Sequence, residues 1–176
     1  MSVADIYEKR ATFSFEVFPP KTDVGMEKLC GKDGVLDKLY TLQPDYISCT
    51  YGAGGTNVGK NLEVLDKIQK DGKTIPVTHF TCIGNTKEDI KEKLQTYLDH
   101  GIDHMLALRG DLPFGWTGTN GDLHYATELV KFVRKEFGDK FTIAVAGSPE
   151  GHIACRSLEA DISFLKQKQD LSLIHI

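Results

Sequence analysis

No apolar run in this chain approaches the roughly 18 residues that a membrane-spanning helix needs. The opening stretch MSVADIYEKR carries charges early and has no apolar core, so it does not read as a secretory signal. Cysteine is scarce: Cys30, Cys49, Cys82 and Cys155 are scattered without a C-x-x-C pair, so neither a zinc site nor a disulfide framework is expected. A basic excess is missing too. With 21 Lys and Arg against 25 Asp and Glu the net charge is −4, which removes the electrostatic case for nucleic acid or an anionic membrane. These absences leave a cytoplasmic soluble protein of about one domain as the expectation.

What is present is a regular alternation. Phe13 to Lys21, FSFEVFPPK, begins as an aromatic and β-branched strand and is stopped by Pro19 and Pro20, which cannot donate to a ladder. Asp23 is the expected cap of a helix presenting Met26, Leu29, Leu36 and Leu39, with Gly31 and Gly34 breaking it midway. Further strands are read at Tyr46–Cys49, 75–82, 104–111 and 141–147. Between them lie helices, one capped by Thr86 with Asp89 three residues on, one with Leu123, Ala126, Leu129, Val130, Val133 and Phe137 inward, and a last one over about 157–168. Units of roughly 30 residues mean parallel βαβ crossovers. A complete five-strand doubly wound sheet and the first five units of a (β/α)8 TIM barrel both fit this pattern. The barrel is favoured because nearly every strand ends in polar chemistry, which a barrel gathers into one ring.

Glu16 is the sharpest of these groups. A carboxylate inside an apolar run is expected to be buried with a raised pKa, as a general acid needs, and the alternative is a salt bridge to a neighbouring strand. Gly52 to Gly55, GAGG, sits in a strand-to-helix loop but fits neither G-x-G-x-x-G nor the P-loop, so an ordinary βα loop competes with a phosphate cradle. His79 is either a core histidine or a ligand. Arg109-Gly110-Asp111 is either an ion pair or a place where a ligand approaches backbone. Trp116 is a loop anchor or a stacking platform. His100 and His104 straddle a helix end and a strand, so no metal is expected there.

In order and spacing, FSFEVFPPK, CTYGAGG, THFTCIGNT, LALRGD and VAGSPEGH resemble the methylenetetrahydrofolate reductase family. The likeness spans about residues 12–170, only the first part of that family's barrel, and LVKFVRKEFGD looks more eukaryotic than bacterial. The resemblance implies a (β/α)8 flavoprotein carrying FAD, which takes hydride from NADPH or NADH and passes it to methylenetetrahydrofolate in one-carbon metabolism feeding methionine biosynthesis. It implies Glu16 as general acid in opening the folate ring. Pro19, Pro20 and Lys21 fall in the nicotinamide segment. Thr50, Tyr51, His79, Arg109, Gly110, Asp111, Tyr125, Ala126, Ser148, His152, Asp161 and Lys168 match flavin-contacting positions, with Asp111 also touching folate. Ser148 stands where the family usually has Tyr, and Ile153 where it has Pro. A homo-oligomer is implied for the full-length protein. Residues 1–170 are read as the N-terminal portion of the barrel, and 171–176 (LSLIHI is 171–176) resemble a translated sequencing adapter, hence a non-native tail. An inert fragment and a complete five-strand nucleotide-binding module are the alternatives.

Overall fold

The structure is a computed structural model, and it describes residues 2–51, 58–148, 150–152, 155–171 and 174–175, with Val58, Ile174 and His175 described in backbone only. Six strands, β1 (Ser14–Val17), β2 (Tyr46–Cys49), β3 (Ile75–Thr81), β4 (His104–Leu108), β5 (Thr142–Val145) and the two-residue β6 (Ile174–His175), form one sheet. Among the described residues seven helices accompany them: α1 (Val3–Tyr7), α2 (Asp23–Cys30), α3 (Val35–Tyr40), α4 (Val58–Asp71), α5 (Lys87–Asp99), α6 (Ala126–Phe137) and α7 (Leu158–Leu171).

Every strand pair is parallel and the spatial order is β1-β2-β3-β4-β5-β6. A doubly wound sheet must reverse direction at a switch point. Here each crossover adds its strand on the same side, so the helices collect on one face and the architecture is a partial (β/α)8 barrel of about five βα units.

Strand alternation sorts the side chains. Val17, Ile47, Cys49, Phe80, Met105, Ala107, Ile143 and Val145 face the helices and join Leu29, Leu36, Val64, Leu65, Ile90, Leu94, Leu129 and Val133 in the main core. Tyr46, Val77 and Ala144 turn to the inner face, where Val3 of α1 packs on them. α1 was not expected from the sequence. Ser2 and Asp5 make a reciprocal capping box, the same acidic variant that Thr86 and Asp89 form at α5. The Val3 N–H donates to His104 Nε2 at 3.2 Å. That places the His104 proton on Nδ1, facing Asp103 Oδ1 at 2.6 Å. Tyr46 and His104 open their strands, so α1 covers the N-terminal end of the inner face and leaves the C-terminal end clear.

Several boundaries differ from the sequence reading, among them β5, which is Thr142–Val145 and not 141–147, and α7, which runs on to Leu171. Thr22, not Asp23, caps α2, its Oγ1 accepting the Gly25 N–H at 3.1 Å. β4 stops at Leu108 because Gly110 adopts φ +90° and leaves the strand conformation. Leu123 precedes α6, which Tyr125 caps. The expected break between Gly31 and Gly34 is present, separating α2 from α3. Ile174–His175 pairs with Ala144 and Val145 of β5, inside the six residues set apart above as a tail. No described helix is long and apolar enough to cross a membrane.

Candidate active site

The C-terminal ends of β1 to β4 deliver polar groups to one face. On β1, Phe15 and Val17 pack into the helix-side core, so Ser14 and Glu16 turn inward. Glu16 is not the buried carboxylate expected from its apolar neighbours. Its side chain is 49% exposed, because among the described residues β1 has a neighbour only on its β2 side. Its Oε2 lies 3.5 Å from His79 Nε2 on β3, across the intervening strand. His79 is buried, and that burial lowers its pKa against the opposing pull of Glu16. The contact thus sets a buried imidazole, made less basic by its burial, against a half-exposed carboxyl group.

Two residues beyond His79, the Thr81 hydroxyl is buried without a partner among the described residues. Gly110 of the next strand end closes on it: a Cβ there would meet Thr81 Cβ at 3.1 Å and Ile83 Cγ2 at 2.5 Å. Arg109 and Asp111 are exposed and do not pair, the Arg109 Nε donating to Gly110 O at 3.1 Å instead. Asn85 holds the neighbouring loop, its Nδ2 donating to Thr81 O at 3.2 Å and Ile83 O at 2.9 Å. The loop after β4 folds back on it, Gly84 N–H donating to Thr119 O at 2.8 Å. Trp116 lies against Gly84, 3.2 Å from where a Cβ would stand, so it serves as a loop anchor.

On β1's exit, Pro19 is buried, Pro20 packs against the first turn of α2 near Gly25, and Lys21 is exposed. The Thr50 N–H donates to Val17 O at 3.0 Å, tying the end of β2 to the end of β1. Tyr51 turns the other way. Its ring is buried against Phe80, with centroids 5.1 Å apart, on the helix side of the sheet. Its side chain is therefore not beside Glu16 and His79. The GAGG loop at 52–55 lies outside the described residues.

A second group surrounds the end of β5. The His152 N–H donates to Asp161 Oδ2 at 2.8 Å, and Asp161 is buried near the start of α7. Ser148 O accepts the Gly151 N–H at 2.9 Å, and Lys168 Nζ donates to Ala146 O at 2.9 Å. A cleft of about 230 Å3 is lined there by Glu150, Gly151, His152, Cys155, Leu158 and Asp161, among others. Tyr125 and Ala126 stand at the start of α6, Tyr125 exposed. A larger depression, about 460 Å3, lies between α5 and α6 and holds none of these residues.

Sequence reasoning missed Asn61. It is fully buried on α4, and its Nδ2 donates to Cys49 O at 3.1 Å and to Thr50 O at 2.9 Å. The signal was available: Asn61, Leu65 and Ile68 share one helical stripe, so a polar residue sits at an apolar position. Burial pushes the Cys49 thiol pKa up to about 12 and that of Cys82 up to about 11.

The family model for methylenetetrahydrofolate reductase matches residues 2–171. The chain is 35% identical over 173 residues to methylenetetrahydrofolate reductase (NADH) 1 of Arabidopsis thaliana, covering 92% of this chain and 29% of that protein. It is 38% identical over 169 residues to 5,10-methylenetetrahydrofolate reductase of Pectobacterium carotovorum subsp. carotovorum, covering 96% and 54%. Methylenetetrahydrofolate reductase 2 of Schizosaccharomyces pombe is 33% identical over 181 residues, covering 96% and 28%. The chain thus spans from under a third to about half the length of these relatives. Plant, yeast and bacterial identities overlap, so the eukaryotic cast of LVKFVRKEFGD is not mirrored in overall identity.

Proposed function

The chain belongs to the methylenetetrahydrofolate reductase family, and from that premise we propose that it forms the first part of a catalytic barrel. The barrel belongs to a flavoenzyme that reduces 5,10-methylenetetrahydrofolate to 5-methyltetrahydrofolate with NADPH or NADH. The observation that carries this reading is the Glu16–His79 contact at the C-terminal ends of a sequentially ordered sheet, where barrel enzymes keep their chemistry.

The residues present fit a flavin dinucleotide. The orphaned Thr81 hydroxyl at the strand ends is a polar group that a flavin could satisfy. The exposed guanidinium of Arg109 suits a pyrophosphate. When bound, FAD supplies the two-electron carrier between nicotinamide and folate. Thr50, His79, Arg109, Gly110, Asp111, Tyr125, Ala126, Ser148, His152, Asp161 and Lys168 are assigned to hold it, and Tyr51 to contribute through its backbone. Asp111 is assigned to folate as well, and Pro19, Pro20 and Lys21 to the nicotinamide nucleotide.

Glu16 is assigned as general acid. Its carboxyl donates a proton to the folate nitrogen as the ring C–N bond breaks and the electron pair stays on nitrogen. The setting we assign is a cytoplasmic homo-oligomer in one-carbon metabolism.

The test is to purify the full-length protein and record its absorbance and its folate-dependent oxidation of reduced nicotinamide. Co-purified FAD and folate turnover are expected. A colourless protein that also fails to bind added FAD would remove the reading.

A further inference from the structure

The ladder between β2 and β3 ends at the Cys49–Thr78 pair. Beyond it the chain must leave the sheet carrying Thr50, and the carbonyls at that exit need partners other than a strand. Asn61 supplies them. Its two amide hydrogens go to two consecutive carbonyls, Cys49 O at 3.1 Å and Thr50 O at 2.9 Å. Its oxygen accepts the Tyr97 hydroxyl of α5 at 2.6 Å, while the Thr78 hydroxyl, 3.4 Å away, makes its shorter bond to His79 O at 3.0 Å. Both donors and the acceptor oxygen of this side chain are used, and it has no exposure to solvent. One residue thus joins α4 and α5 to the end of β2 and to β3 beside His79.

We infer that Asn61 is a positioning residue: it substitutes for a strand at the end of β2 and sets the direction in which Thr50 and Tyr51 leave the sheet, and so the affinity of the strand-end site for its flavin. This rests on the function proposed above. Packing alone does not ask for asparagine at this position. An aliphatic residue would continue the stripe of Leu65 and Ile68, but only a side-chain amide can donate twice while accepting from Tyr97.

Two substitutions separate the halves of this arrangement. Asn61→Asp keeps the shape and the acceptor for Tyr97 but loses both donors to the strand-end carbonyls. Tyr97→Phe removes a partner on the acceptor side and leaves both donors. In the full-length protein, Asn61→Asp is expected to weaken FAD binding by about tenfold or more at pH 8 and to speed amide exchange at Thr50 and Tyr51. Binding should recover partly towards pH 6, because a buried aspartic acid takes up a proton and regains one donor. Tyr97→Phe should lower the melting temperature with FAD affinity within about twofold of wild type. Should Asn61→Asp not fold, the pair Asn61→Leu with Tyr97→Phe replaces both partners by apolar groups, which costs less than orphaning one of them. The same loss of FAD affinity is expected there, without pH rescue.

Wild-type exchange and wild-type FAD affinity in either Asn61 variant would overturn the inference. So would faster exchange with unchanged affinity, which would make Asn61 structural only. A wild-type protein that binds no FAD would instead fail the functional reading itself, and the inference with it.

Discussion

Glu16 and His79 are in contact but differently placed. Glu16 is half exposed on a strand with one neighbour among the described strands, whereas His79 is enclosed on a strand with two. If Glu16 is the acid that opens the folate ring, Glu16→Gln in the full-length enzyme keeps the shape and loses the proton. Stopped-flow traces should then show near-normal flavin reduction by nicotinamide and reoxidation by folate slowed by about 100-fold, the scale of a lost general acid. Equal slowing of both halves would make Glu16 structural. His79 gives a prediction on stability. Its folded-state pKa lies below the ordinary imidazole value because of burial. The unfolded chain therefore binds this proton more readily, and native stability is lost as pH falls from about 6.5 through the lowered folded value. Replacing His79 by Gln should flatten that loss. Urea midpoints at pH 7.5 and 5.5 should converge on each other more in the variant than in wild type, and parallel profiles would show that His79 does not titrate on unfolding.

At the scale of elements, the glycine after β4 is constrained twice over. Gly110 combines φ +90° with a would-be Cβ only 2.5 Å from Ile83 Cγ2. Gly110→Ala should cost about 1–3 kcal/mol from backbone strain, read from denaturant unfolding, with FAD affinity falling as Thr81 and Ile83 are displaced. An unchanged midpoint would mean that the turn relaxes freely. This element was half legible in the sequence. A glycine between two charges after ALAL announced a close approach, but the strand was read through to Asp111 because its φ is not written in its neighbours. β2 and the Thr86–Asp89 cap were readable because burial on both faces and an S/T-x-x-D signature are local properties. α1 carries the same signature at Ser2 and Asp5 but is only five residues long, too short for apolar periodicity to mark it. The exposure of Glu16, the helix-side burial of Tyr51 and the reach of Asn61 to Thr50 depend on which strands are neighbours. No window of sequence around each residue contains that.

At the scale of the molecule, the two faces of the sheet are unequally finished. The helix side is complete: Ile47, Phe80, Leu94, Leu129 and Ile143 have no exposure at all. On the inner face the buried apolar cluster is Val3, Tyr46, Val77 and Ala144, and β1 and β6 each have one neighbour among the described strands. Phe13 and Phe18 flank β1 at 49% and 69% exposure, and Leu158 and Ile162 lie four apart on α7 at 56% and 55%. An unpaired strand edge beside exposed apolar side chains is a template for association. FAD bound only by these residues would also lack contacts from the rest of a closed barrel, and with them the stabilisation that a tightly bound ligand gives the native state. The 176 residues expressed alone should therefore be helix-rich by circular dichroism yet self-associated, binding FAD weakly and showing no reductase activity. Light scattering on the eluted protein, with bound flavin measured in the same fraction, checks this. A soluble monomer with stoichiometric FAD and a cooperative melt would show that the helix-side core suffices by itself, and that the open edges are not a liability.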